Sequence, residues 1–237
     1  MRIPVLIASL CFAGLAGAAN LQISPVAIHL RGEQKAASVT LQNMGTEAVY
    51  GQVRVYEWDQ SLAEDVLTPT RQVIASPPIV EVAPGGSQVI RLVRTGPGTA
   101  GETSYRVLID EIAKEGEAAS TGVDFRLRYS VPLFVLPAGE AGNANLSWRI
   151  YRKDAYWMLG IANSGQLHAQ IGAMVFVNHA GKEFEVSKGL FGYVLPGKTR
   201  EWRLPLDGGA DLAGAVSIKA TVNAKAIVAD GIASRAE

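Results

Sequence analysis

From position 123 to 135 the chain places an apolar residue at every second position without a break. Val123, Phe125, Leu127, Tyr129, Val131, Leu133 and Val135 form the row, and Arg126, Arg128 and Ser130 lie between them. Side chains of a β-strand alternate faces, so this spacing fits a strand with one apolar face and excludes a helix, whose apolar residues recur at three and four. Pro132 offers no N–H to a ladder, which predicts an edge strand at least at that point. Two readings follow: a long core-facing strand of a sandwich, or an edge held for another chain. An apolar edge of this length is an aggregation hazard unless it is meant to be used.

The rest of the sequence agrees with an all-β fold. Before the row, short runs rich in Val, Ile, Leu and Tyr are separated by Gly, Pro and Asn, and predict strands over 21–30, 37–42, 48–57, 79–82, 88–94 and 104–112. With 123–135 they match the strand count of an immunoglobulin-like sandwich. Turn formers and small residues at 138–143 predict a linker. Beyond it, strands are expected over 146–151, 156–162, 170–178, 199–205 and 215–226; in the last, Val216, Ile218, Ala220 and Val222 alternate with polar residues. The organisation read from the sequence is therefore a first domain over 20–137, a linker over 138–143 and a second domain over 144–237, with no internal repeat.

The first 19 residues read as a secretory signal peptide: Met1-Arg2, an apolar stretch from Ile3 to Leu15, and a small-residue end closing at Ala18 and Ala19. The only cysteine, Cys11, lies inside it, and the bulky Leu10 before it argues against a lipid anchor. The mature chain is expected to carry no disulfide and no cysteine metal site. Lys and Arg total 22 and Asp and Glu total 22, which removes the electrostatic argument for nucleic acid or an anionic membrane.

Catalytic chemistry finds no support in the residues. His29, His168 and His179 have no metal-ligand spacing, and no cofactor motif or phosphate-cradling loop occurs. Ser164, close to His168, lacks the context of a nucleophile elbow. Asp110 and Glu111 are neighbours on a strand and point to opposite faces. The expectation is no catalysis, no metal, no cofactor and no small-molecule substrate.

Several segments together resemble the periplasmic pilus-assembly chaperones of the chaperone-usher pathway, the PapD-like family. They are 73–79 (VIASPPI) running into 82–86 (VAPGG) and 89–92 (VIRL), Tyr105 with Asp110-Glu111-Ile112, the 133–137 ending (LFVLP), and in the second domain 159–165 (LGIANSG) and 194–197 (VLPG). The resemblance implies two immunoglobulin-like sandwiches in a boomerang arrangement, a periplasmic location, and pilus subunits and an outer-membrane usher as partners. It also implies donor-strand complementation, in which the chaperone lends a strand to a subunit that lacks one. The donor residues would be Val123, Phe125, Leu127 and Tyr129.

In the best-known members two basic residues anchor the subunit's C-terminal carboxylate. Here the corresponding positions are Ala27 and Pro132, a departure similar to the archaic branch. Arg106 and Arg91, expected on strands beside the last one, are the replacement candidates, since a guanidinium pairs well with a carboxylate. Arg126 and Arg128 fit charged protection of an edge, and self-association through that edge remains open. Two other readings compete: a pilus or surface subunit, and a two-domain ligand-binding protein. The first domain's full strand complement opposes the former. The strand positions of Trp58, Trp148, Trp157 and Trp202 oppose the latter.

Overall fold

The computed structural model describes residues 21–96, 100–113, 125–139, 142–207 and 209–235. The signal-peptide reading and Val123 lie outside them. The described residues contain strands and no helix. In chain order the N-terminal strands are β1 (Leu21–Ser24), β2 (Ile28–Leu30), β3 (Ala36–Asn43), β4 (Val49–Gln60), β5 (Asp65–Pro69), β6 (Val73–Ser76), β7 (Ile79–Val82), β8 (Ser87–Arg94), β9 (Thr103–Ile112) and β10 (Arg128–Val135). The C-terminal strands are β11 (Leu146–Lys153), β12 (Tyr156–Asn163), β13 (Ala169–Asn178), β14 (Glu183–Ser187), β15 (Gly192–Val194), β16 (Thr199–Arg203), β17 (Gly214–Val222) and β18 (Lys225–Arg235).

Two sheets make the N-terminal sandwich, one ordered β1-β3-β8-β6 and the other β2-β10-β9-β4-β5 with β7 also on β4. Their inner faces share one core that includes Leu30, Val39, Leu41, Ile90, Leu92, Val107, Ile109 and Leu133. The C-terminal strands form one sheet ordered β14-β13-β17-β18-β11-β12-β16, around a second core with Ile150, Leu159, Ile161, Ile171, Phe176 and Ile218.

Three strand expectations need correction. The single strand expected over 21–30 is two, β1 and β2, in different sheets, because Pro25, with no N–H to give a ladder, follows the end of the first at Ser24. The strand expected over 215–226 ends at Val222 and turns at Asn223 and Ala224, which have φ of 48° and 62°. The turn is held by β13: Gln170 N–H donates to Asn223 Oδ1 at 2.8 Å, and Asn223 Nδ2 donates to the His168 carbonyl at 3.1 Å. The strand expected over 123–135 begins at Arg128 among the described residues, with Phe125 to Leu127 outside it.

A local device also recurs where no internal repeat was read. Asn43 Nδ2 donates to the Glu47 and Val82 carbonyls at 2.7 and 2.9 Å, and Asn43 Oδ1 accepts from Gly45 N–H at 2.9 Å. Asn163 Nδ2 donates to the Leu167 and Val194 carbonyls at 2.8 and 3.1 Å, and its Oδ1 accepts from Gly165 N–H at 3.0 Å. The main-chain N–H groups of both asparagines complete the match, reaching the Gly86 and Lys198 carbonyls at 2.9 Å each. Val82 and Val194 each open a V-x-P-G turn whose glycine, Gly85 or Gly197, has φ of 68° or 70° and so suits a residue without Cβ. Both asparagines are buried. Asn43→Ala or Asn163→Ala therefore strands one buried carbonyl, of Val82 or Val194, and one part-buried carbonyl, of Glu47 or Leu167, and each is expected to cost about 2 to 4 kcal/mol in denaturant unfolding. A loss below about 0.5 kcal/mol at either would refute the pinning role.

Candidate functional site

The main chain of β10 has one side free over much of its length. β9 pairs with all of it, from Arg128 opposite Asp110 to Val135 opposite Thr103, whereas β2 pairs only with Leu133 to Val135. Glu111 N–H donates to the Leu127 carbonyl at 3.0 Å, which fixes the ladder phase. In an antiparallel ladder the groups facing a given partner come from every second residue. The odd residues of β10 therefore turn their main chain toward β9, and Arg128, Ser130 and Pro132 turn theirs the other way. No strand among the described residues pairs there. Pro132, with no N–H, falls at the last position before β2 takes over, so the edge expected at this residue is observed.

The apolar row divides in two. Val131, Leu133 and Val135 are buried in the sandwich core, and Tyr129 packs half-buried against it. Phe125 is 77% exposed and Leu127 44% exposed. The core-facing reading thus describes the C-terminal part of the row, and the exposed reading describes the part just before the strand.

On the opposite face of the sheet, toward the second domain, lies a basic cleft. Arg106 stands opposite Pro132 on β9. Its guanidinium lies over the Trp58 ring at 3.6 Å, with the Tyr193 ring at 5.4 Å. Asp65 reaches Arg106 Nη2 at 3.4 Å with one oxygen and Arg200 Nη1 at 3.3 Å with the other. Two guanidiniums that are almost wholly buried thus share one carboxylate, and one positive charge is left over. Desolvation and the neighbouring Arg200 lower the Arg106 pKa against the opposing pull of Asp65. Arg200 Nε and Trp58 Nε1 are buried and have no hydrogen-bond partner among the described residues.

Arg91 does not join this cleft. The expectation that it flanks the last strand fails because β8 lies in the other sheet, between β3 and β6, where Arg91 is exposed opposite Ser38 and Ser76. Arg200 was missed, since nothing in its own strand distinguishes it from a solvated arginine; only the docking of the two domains gives it a role. At the other end of the same face, Asp110 binds Arg54 and Arg128. Burial alone would raise the Asp110 carboxyl, but the hydrogen bonds from Arg128 and Arg54 prevail and hold it below the usual carboxylate range.

Residues 20–141 match the family described as pili and flagellar-assembly chaperone, PapD N-terminal domain. The chain belongs to that family. No curated protein matches the sequence. Among solved structures, the complex of the CsuC chaperone with the CsuE tip subunit, from archaic chaperone-usher Csu pili of Acinetobacter baumannii, aligns with TM-score 0.67 and 24% identity. The alignment covers 91% of this chain and 100% of that one. The Salmonella enterica SafA pilin complex with the SafB chaperone gives 0.62 and 16%, covering 90% and 96%, and the E. coli chaperone DraB gives 0.61 and 20%, covering 89% and 96%. At these identities the likeness concerns the fold.

The two sandwiches of the chaperone meet through an aromatic cluster. Trp58 and Phe134 from the first domain pack with Tyr193 and Leu195 from the second. The His168 ring stacks on Phe134, with centroids 3.4 Å apart and planes within 2°. Glu102 accepts from the His168 main-chain N–H at 3.0 Å, and its other oxygen lies 2.8 Å from His168 Nδ1. His29 lies on the other side of the junction, 5.8 Å from the His168 ring; burial, His168 and Arg31 lower its pKa despite Glu102. Gln60 acts as a one-residue strand partner, donating to the Tyr193 carbonyl at 3.0 Å and accepting from Leu195 N–H at 2.9 Å. The histidines read from sequence as structural or surface residues include two that pack in this junction.

Proposed function

We propose that this chaperone caps pilus subunits in the periplasm by donor-strand complementation and delivers them to an outer-membrane usher. In this reading residues 1–19 are a removed signal peptide, 20–137 the chaperone domain, 138–143 the linker and 144–237 the second domain. The observation that carries it is the free main-chain edge of β10 continued by the exposed Phe125 and Leu127. A subunit groove closing on this edge would take hydrogen bonds from the even residues and side chains from the odd ones, Val123, Phe125, Leu127 and Tyr129. Tyr129, already half-buried, adds least. The other three are worth roughly 5 to 9 kcal/mol gross at about 1.5 to 3 each, less the cost of association.

Arg106, with Arg200 beside it, is the proposed anchor for the subunit's terminal carboxylate, replacing the basic residues absent at Ala27 and Pro132. That replacement, together with the archaic source of the CsuC structure, supports the archaic branch. The test is capture of a pilin subunit from the same genome during periplasmic co-expression. Arg106→Ala is expected to weaken capture about 10-fold or more, since a hydrogen bond to a charged group is worth about 1.5 to 3 kcal/mol. Arg106→Lys, which keeps the charge without the planar fork, should recover part of it. The anchor is ruled out if a subunit carrying a C-terminal amide is captured as tightly as the free acid.

A further inference from the structure

The adjacent carboxylates of Asp110 and Glu111 grip the root of the donor segment from its two faces. Asp110 holds the Arg128 guanidinium on the outer face. On the inner face, Glu111 Oε1 accepts from the Tyr129 hydroxyl at 3.1 Å. Glu111 Oε2 accepts from the main-chain N–H of Leu127 at 3.3 Å. This last bond falls at a particular place in the ladder. The Leu127–Glu111 pair faces inward, and the Glu111 N–H already binds the Leu127 carbonyl. The reciprocal partner of the Leu127 N–H in a continuing ladder would be the Glu111 carbonyl. The Glu111 carboxylate takes that N–H instead, and β10 begins one residue later, at Arg128.

We propose that Glu111 is a positioning residue that stops the β9–β10 ladder at Leu127 and holds Tyr129 inward, keeping the donor segment off the sheet until a subunit arrives. The inference rests on the donor-strand reading above. Donation requires the segment to become extended and paired on both sides, so the Leu127 N–H must pass from the carboxylate to the Glu111 carbonyl and Tyr129 must be freed from Glu111. Each side-chain bond therefore stabilises the waiting state relative to the donating one. The Tyr129 phenol, pushed up to about 12 by burial and by Glu111, stays a hydrogen-bond donor to this carboxylate across the physiological range. Beside the root lies an open depression of about 400 Å³ bordered by Gln52, Arg54, Leu127 and Arg128.

The consequence is a gain rather than a loss when Glu111 is removed. A competent state that is only fractionally populated slows capture by that fraction, and releasing one or two hydrogen bonds corresponds to about 3- to 10-fold faster association. Glu111→Ala should show this increase toward a pilin subunit from the same genome, with the dissociation rate little changed. Glu111→Gln, which keeps one acceptor, should fall between. In the free protein, amide exchange should register the Leu127 N–H moving into the ladder, with slower exchange at Leu127 and no change in the core of β9. If Glu111→Ala associates more slowly or at the wild-type rate, or if Leu127 exchange is unchanged, the inference is overturned. Phe125→Asp separates the two claims. Its loss of capture alongside an unchanged rate for Glu111→Ala defeats the Glu111 role alone, and intact capture by Phe125→Asp defeats the donor strand itself.

Discussion

Phe125→Asp and Leu127→Asp are each expected to reduce subunit capture at least 100-fold while leaving the chaperone folded. Both side chains are exposed in the free protein, so a carboxylate costs little there: surface substitutions usually change stability by no more than about 0.5 kcal/mol. In a closed subunit groove the same carboxylate would be desolvated without a partner, and a buried unpaired charge costs several kcal/mol, which a factor of about 100 in affinity understates. The phase of the ladder supplies the control. In an extended donor strand Arg126 would alternate with the two apolar positions and face away from the groove, so Arg126→Ser should lower capture by less than about 3-fold at the median worth of an exposed charge. Co-purification and surface-immobilised kinetics read the effect, and thermal unfolding checks the fold. Capture that survives both aspartates would remove the donor segment from the mechanism. Equal losses at 125, 126 and 127 would point instead to general electrostatic repulsion.

The row that dominates the sequence was informative because it obeys two constraints in succession. Tyr129 to Val135 fill the chaperone's own core, and Phe125 and Leu127 continue the same alternation where that core has ended. Period two is identical in both parts, so sequence could reveal the strand but not the point at which burial stops. Pro132 located the edge because a missing N–H is a chemical fact independent of context. Strand β5 escaped notice for the opposite reason: all its residues are exposed, so it carries no apolar period. The repeated asparagine clamps were invisible because their partners, Val82 and Val194, lie far along the chain and contribute carbonyls, which every residue has. The basic cleft was half legible. Arg106 follows from its place opposite the last strand, but the shared Asp65 and the second guanidinium of Arg200 arise only when two domains dock. Arg91 was misassigned because adjacency in sequence order does not say which of two sheets a strand joins.

Phe134→Ala is expected to be the most destabilising single truncation at the domain junction, by about 3 to 5 kcal/mol, the usual cost of emptying a buried phenylalanine site. Phe134 is wholly buried, although it sits on the face of β10 that points away from the sandwich core. There it touches Trp58 and Tyr193 and carries the stacked His168 ring, so its removal opens a void between two bodies as well as within one. Beside the Trp58–Tyr193 contact, polar contacts cross the junction: the Gln60 amide, the Glu102–His168 pair, the Arg200–Asp65 and Lys198–Asp59 bridges at 3.3 and 2.6 Å, and the bond from Glu201 N–H to the Leu62 carbonyl at 2.7 Å. Such bonds need excluded water to keep their strength, because a hydrogen bond that competes with solvent contributes little net free energy. Loss of the aromatic centre should therefore weaken them together. Calorimetry should resolve two unfolding transitions where the wild type shows stronger coupling, and small-angle scattering should report a wider spread of interdomain distances. Subunit capture should fall as well, because Arg106 and Arg200 keep their spacing only while the domains stay docked. A variant that unfolds within about 1 kcal/mol of wild type would mean that the other contacts hold the junction without Phe134. In that case Gln60→Ala, which strands the Tyr193 carbonyl and the Leu195 N–H, should produce the larger loss.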